Sequence, residues 1–264
     1  GNITYSRFWD WEQYKPRFSN SWDEYRNSIW HRVGYVNWGY EAIGRFDSWE
    51  QIANYPVDND RKGNRTVVPG DIMYKDQNND GVINYLDERP IGYRVDSTPT
   101  LNFGINLSAS WKGFDLAMDW TGSGMTSWNQ CYETARPFQN DGNSPDEVLK
   151  DAWHLSDIWD ANSPLIPGKY PMVRLNTDET SAYDKSSYWL HNVTYLKLRN
   201  LEVGYTFPKT WLNRTGISNL RLFVSGTNLL TLSNLSVMDP ECASDNGLDY
   251  PPMRVINIGV NLKF

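Results

Sequence analysis

The clearest pattern in the 264-residue chain is strict alternation of apolar and polar positions. In residues 253–264, Ile256, Ile258, Val260, Leu262 and Phe264 alternate with Asn257, Gly259, Asn261 and Lys263. A period of two places one set of side chains against something apolar and the other against something polar. Two environments fit such a strand: the edge of a sandwich, or the wall of a membrane barrel with lipid on one face and a hydrated lumen on the other. The pattern recurs upstream. Leu101, Phe103, Ile105, Leu107, Ala109 and Trp111 alternate with Asn102, Gly104, Asn106, Ser108 and Ser110. Lys112-Gly113 reads as the turn, and Phe114, Leu116, Met118 and Trp120 return against Asp115, Ala117, Asp119 and Thr121. Each strand is about ten residues long, enough for a tilted membrane strand.

Residues 188–207 predict a longer strand whose phase switches midway. Leu196 and Leu198 occupy even positions, Leu201, Val203, Tyr205 and Phe207 odd ones, so a bulge is expected near Arg199-Asn200. Pro208 ends it, and Leu220, Leu222 and Val224 begin another strand that runs out near Leu232. Residues 1–5 read as strand interior, so the chain is expected to be cut from a longer protein. Up to about residue 44 strands are expected with poor phase. Short helices are expected over 46–56, with Asp47 or Ser48 as N-cap, and over 146–154. Residues 122–187 read as one very long connection.

Short connections (112–113, 208–216) alternate with long ones (122–187, 233–252). Outer-membrane barrels have short periplasmic turns and long extracellular loops, and a sandwich has no reason for this asymmetry. The fold expected is therefore all-β, the C-terminal portion of a large antiparallel transmembrane β-barrel with long extracellular loops. Counted back from a periplasmic C-terminus, Ile256, Ile258, Val260 and Leu262 face lipid.

A net charge of −7 and the lack of a basic patch argue against nucleic acid as a partner. No apolar run approaches the roughly 20 residues of a membrane helix, which bears only on helical insertion. The 13 Trp and 16 Tyr suit a β core, an interfacial girdle or stacking platforms. Cys131 and Cys242 allow a single disulfide.

Residues 76–87, Asp76-Gln77-Asn78-Asn79-Asp80-Gly81-Val82-Ile83-Asn84-Tyr85-Leu86-Asp87, carry the pattern of an EF-hand calcium loop. Asp76, Asn78, Asp80, Asn84 and Asp87 supply side-chain oxygens, Val82 a carbonyl, and Gly81 the sharp turn. A hard cation needs six to eight oxygens, which alternate residues of a tight loop bring to one point. Asp in place of the usual final Glu implies weak affinity, about 0.1 to 1 mM. An Asp- and Asn-rich turn that binds nothing is the alternative. The histidines lack the short spacings of a zinc site, there is no nucleophile elbow, and Asp239 with Glu241 is a weak pretext for a glycosidase pair. No enzyme is expected. Trp128, Tyr132, Trp153 and Trp159 are the candidates for contact with a substrate or a lid protein.

Several runs resemble the C-terminal part of SusC/RagA-like TonB-dependent outer-membrane transporters of Bacteroidetes. They are Pro69-Gly70-Asp71-Ile72-Met73-Tyr74-Lys75-Asp76, Pro90-Ile91-Gly92, Gly113-Phe114-Asp115-Leu116, Tyr195-Leu196-Lys197-Leu198-Arg199-Asn200-Leu201, Gly204-Tyr205-Thr206-Phe207-Pro208 and Ser225-Gly226-Thr227-Asn228-Leu229-Leu230. The match runs in order from about residue 33 to 264; residues 7–27 fit the family poorly. The resemblance implies a plugged barrel of about 22 strands, a SusD-like surface lipoprotein as lid and TonB as energy source. Plug and signal peptide belong to the N-terminal remainder, absent here. It also implies that Phe264 resembles the signal read by the barrel-assembly machinery. The function expected is import of oligosaccharides or peptides across the outer membrane. The alternative is a secreted, calcium-stabilised β domain that binds carbohydrate.

Overall fold

The computed structural model describes residues 1–264 apart from 13, 15, 35, 94–98, 176–178, 214–215 and 242–245. Its spine is one antiparallel sheet of six strands in chain order: β1 (Asn2–Tyr5), β2 (Leu101–Trp111), β3 (Phe114–Asn129), β4 (Leu190–Thr206), β5 (Asn219–Ser233) and β6 (Val255–Lys263). Each of the last five pairs with its sequence neighbour, so the strands form a simple meander. Lys112 and Gly113 both have positive φ, 47° and 91°, the two-residue turn whose twist suits a hairpin.

Register turns the alternation into two faces. Leu262, Val260 and Ile258 lie opposite Leu220, Leu222 and Val224. Val224 lies opposite Val203, Val203 opposite Leu116, and Leu116 opposite Ala109. These side chains form one continuous apolar face that the described residues leave uncovered; Ile258 is 83% exposed. A sandwich would bury such a face, so of the two environments the barrel wall accounts for it. The 11 residues of β2, tilted as barrel strands are, span about 25 Å, the height of an outer-membrane apolar band. At the short-turn end Phe114, Tyr205, Phe207 and Trp211 follow one another at ring separations of 4.5, 5.0 and 6.0 Å, beside exposed Trp111. Such a row is how aromatic rings line a membrane interface.

The other face is polar and cross-linked. Asp119 accepts from Asn106 at 2.7 Å and from Asn200 at 3.2 Å. Arg221 donates to Asp115 at 3.1 Å and to Glu202 at 2.6 Å. Gly204 makes room for this bond: a Cβ there would stand 2.5 Å from Arg221 Nη2 and 2.6 Å from Asp115 Oδ2. The bulge expected near Arg199-Asn200 is present, since β4 shifts register between Leu198 and Asn200 against both neighbours. A second shift, between Val193 and Tyr195, was not visible in the alternation.

Two expectations are corrected. Strand β3 does not end near Thr121 but runs to Asn129, and residues 122–129 pair with β4 although Gly122, Ser123 and Gly124 break the apolar rhythm. Backbone pairing needs no apolar side chain. Residues Ser21–Asn27 form a helix, not a strand: Asn20 accepts the Asp23 N–H at 2.8 Å, and Asp23 and Glu24 sit in the positive first turn. The Trp22 and Tyr25 rings then pack on Trp38. The helix expected over 46–56 is Trp49–Ala53, capped by Ser48, and that over 146–154 is Asp146–Lys150.

The long connections fold together. Residues 37–92 and 130–189 share a core of Tyr40, Ile72, Tyr74, Ile83, Val148, Tyr170, Ala182 and Trp189. Buried Asn59 ties the two halves, donating to the Ile72 carbonyl and the Ser181 hydroxyl and accepting from Tyr74 N–H. Asp71, fully buried, pairs with Arg174; burial pushes its pKa up, and the guanidinium works against that shift.

Candidate functional site

The loop expected to bind calcium lies on the surface of this loop module. It is anchored through Asp58, whose N–H reaches the Gly81 carbonyl at 2.8 Å and whose carbonyl takes the Ile83 N–H at 2.9 Å. Each carboxylate is oriented by the loop's own backbone. Asp76 accepts from the N–H groups of Asn79, Asp80 and Gly81, and Asp80 from that of Val82. Asp87 is buried and accepts from Gln77 and Asn84 at 2.9 and 2.8 Å. Gly81 takes a φ of 83°, which a residue with a Cβ adopts only under strain. As a result Asp76, Asp80 and Asp87 present oxygens within 4.8 Å of one another. Three carboxylates at that spacing fit a hard divalent cation. The Val82 N–H bond above all, then the Asn78 amide, holds the exposed Asp80 carboxyl below its usual range.

The three remaining members have other partners. The Asn78 oxygen accepts the Asp80 N–H at 3.0 Å, and its amide donates to Asp80 at 2.8 Å. Asn84 caps the turn Tyr85–Asp87, its oxygen accepting Leu86 N–H at 2.9 Å and its amide donating to the Val82 carbonyl at 3.2 Å. Asn84 and Val82 thus bond to each other, and either would have to turn to meet an ion.

The four aromatic candidates are not brought together. Trp128 is buried at the end of β3, stacked on His191 at 5.6 Å and packed with Val193, Tyr195, Leu235, Val237 and Met238. Trp153 is buried against Gly70, where a Cβ would come within 2.5 Å of the indole. Both are packing residues, and neither presents a free ring face. Tyr132 and Trp159 are exposed, Trp159 to 91%. Phe264 follows β6 and is exposed. Cys131 is half-buried and Cys242 lies outside the described residues, so their pairing lies outside them too.

Asp239 and Glu241 do not stand apart as an acid pair. Lys197, 1% exposed on the polar face of β4, donates to both Asp239 oxygens at 2.6 and 2.8 Å and to Glu241 at 2.8 Å. Arg199 takes the other Glu241 oxygen and reaches Thr121 at 2.9 Å. Two cations and two anions close on themselves, and residues 234–241 are drawn back onto the sheet. Sequence reasoning missed this clasp. Its trace was the alternation itself, which sets Lys197 between Leu196 and Leu198 on the polar face of the strand.

No family model matches the chain. A TonB-dependent receptor, P3 of Formosa agariphila, is 30% identical over 242 residues, 85% of this chain and 22% of that protein. The TonB-dependent receptor SusC of Bacteroides thetaiotaomicron is 24% identical over 252 residues, 89% of this chain and 20% of its own length. The chain is homologous to SusC-like TonB-dependent receptors. It spans only about a fifth of the length of these curated relatives. Among solved structures, the RagAB peptide transporter superposes with a TM-score of 0.57 at 21% identity, over 89% of this chain and 23% of that one. At that identity the likeness carries the fold alone: the six-stranded meander is a portion of a large antiparallel barrel. These relatives are receptors and transporters by name, not enzymes.

Proposed function

We propose that the chain supplies barrel strands and extracellular connections of an outer-membrane active transporter in a Gram-negative cell. The observation that carries this reading is the uncovered apolar face of β2 to β6 backed by a charged, hydrogen-bonded face, the two solvents of a membrane barrel wall. The remainder of the same protein closes the barrel and brings the plug, through which TonB energises transport. A SusD-like lipoprotein forms the lid, and the cargo is an oligosaccharide or a peptide. One neighbour's name supports the peptide, a RagAB peptide importer. In this reading the short turns and the end of β6 face the periplasm. The loop module and residues 76–87 face outward, where millimolar calcium fills a site made by Asp76, Asn78, Asp80, Val82, Asn84 and Asp87. The chain performs no covalent chemistry. A secreted carbohydrate-binding domain accounts less well for the chain, since its apolar face would lie open to water.

The full-length protein is expected to fractionate with the outer membrane and to need detergent to stay monodisperse. A protein that is monodisperse without detergent and absent from that fraction refutes the transporter reading.

A further inference from the structure

The most exposed tryptophan among the described residues sits on a hydrogen-bonded hairpin tip. Trp159 is 91% exposed, with Ile158 beside it at 72%. They sit at the tip of a hairpin whose strands are His154–Leu155 and Leu165–Ile166. The tip is held by its own bonds. Asp157 accepts the Trp159 N–H at 2.9 Å, Asp160 accepts the Asn162 N–H at 2.9 Å, and the Ser163 hydroxyl donates to the Asp157 carbonyl at 2.9 Å. The base is rooted in the module's core: Trp153 N–H reaches the Tyr170 carbonyl and Tyr170 N–H the Asp151 carbonyl, both at 2.9 Å, and Ala152, Trp153 and Tyr170 are buried. The backbone that carries the indole is already ordered, so docking has only the side-chain torsions of Ile158 and Trp159 left to fix. This is the condition under which a single Trp anchors an interface.

We propose that Ile158-Trp159 is a preformed knob that inserts into an apolar pocket with a basic rim on a different protein. Charge selects the occupant. Residues 155–163 carry Asp157 and Asp160 and no base, so the rim that receives the knob must supply cations. A second copy of this chain is a poor host. Its cleft at Trp11 and Trp30 carries Glu12, and its cleft at Ile52 and Tyr55 carries Asp58. Anionic lipid is repelled by the same two acids. The inference uses the transporter reading only to place the partner outside the cell.

The test is photocrosslinking in cells that make the full-length protein, with p-benzoylphenylalanine at Ile158 and Trp159 left in place. The same probe at Trp49, an exposed position elsewhere in the module, is the control. The expected product joins position 158 to one other polypeptide, at a peptide bearing Lys or Arg. Trp159→Ala lowers its yield at least tenfold. Asp157→Asn with Asp160→Asn lowers it severalfold, because both substitutions keep the acceptor oxygen and remove only the charge. A product with lipopolysaccharide, polysaccharide or a second copy overturns the proposal, as does no product or a yield indifferent to Trp159→Ala. So does a crosslinked peptide without basic residues. Membrane fractionation of the same cells reports separately on the transporter reading.

Discussion

Lys197 offers the sharpest quantitative test of how the chain is held together. Its three N–H donors are all used, by two Asp239 oxygens and one of Glu241, and the side chain is 1% exposed. Lys197→Met keeps the stem and removes the charge. Asp239 and Glu241, 17% and 20% exposed, are then left close together without their cation. Breaking a buried pair costs about 3–5 kcal/mol, and because both acids keep some contact with water the lower figure applies, about 3 kcal/mol. The event penalised is local: residues 234–241 lift from β4. Hydrogen exchange of the full-length protein in detergent therefore reads it directly, and about 3 kcal/mol corresponds to exchange faster by about a hundredfold there. A second variant separates charge from packing. In Lys197→Met/Asp239→Asn the remaining Arg199 and Glu241 balance, so most of the loss should return, leaving about 1 kcal/mol or roughly fivefold. If the single and double variants exchange alike, or if Lys197→Met changes nothing, the clasp does not hold the segment and the account of Asp239 and Glu241 is wrong.

Three further outcomes are expected. At about 2 mM calcium and a dissociation constant of about 0.1–1 mM, the bound ion should stabilise the loop module by about 0.6–1.8 kcal/mol; chelation should lower the melting temperature of the full-length protein, and Asp87→Asn should remove the calcium response, whereas an unchanged melt after chelation sinks the site. Asp60 is buried, which alone would raise its pKa, but bonds from the Thr66 backbone and hydroxyl and from Lys62 N–H carry it down to about 2. A folded pKa below the unfolded value contributes stability that is full above about 4 and is lost as pH falls toward about 2; Asp60→Asn should flatten acid unfolding of the module in that window, and identical profiles refute the assignment. Ile258→Arg places a charge on the uncovered apolar face, which in lipid costs up to about 2–4 kcal/mol and in water less than about 0.5 kcal/mol; folding yield into bilayers, compared with Asn257→Arg on the opposite face, decides which solvent the face meets.

What the sequence revealed divides by the range over which each determinant acts. Strand faces were legible because Ile256 to Leu262 and Leu101 to Trp111 encode them in adjacent residues, and the Lys112-Gly113 turn and the Leu198–Asn200 shift announced themselves as local breaks. The oxygen-bearing loop was legible for the same reason, its order of Asp, Asn and Gly lying within twelve positions. Residues 122–129 were hidden because strand pairing is a backbone property, and Gly-Ser-Gly-Met-Thr-Ser carries no apolar rhythm to reveal it. The helix Ser21–Asn27 was hidden because Trp22 and Tyr25 favour strands in isolation, while the decisive Asn20 cap is a single residue.

The loop module was the least legible, and its physics says why. Asn59 meets Ser181 and Asp71 meets Arg174, contacts between segments more than a hundred residues apart, so neither segment alone shows a core. The same distance made Trp128 and Trp153 look like free aromatic rings. Burial, however, removes the face a ligand would need, whereas Trp159 keeps its face because the bonds that order its tip are made by polar neighbours instead of by the indole. A tryptophan in a loop therefore points to recognition when the backbone around it is satisfied without it. Lys197 gives the converse. A charge buried on the polar face of a strand needs a partner of opposite sign, and here that partner arrives 42 residues later.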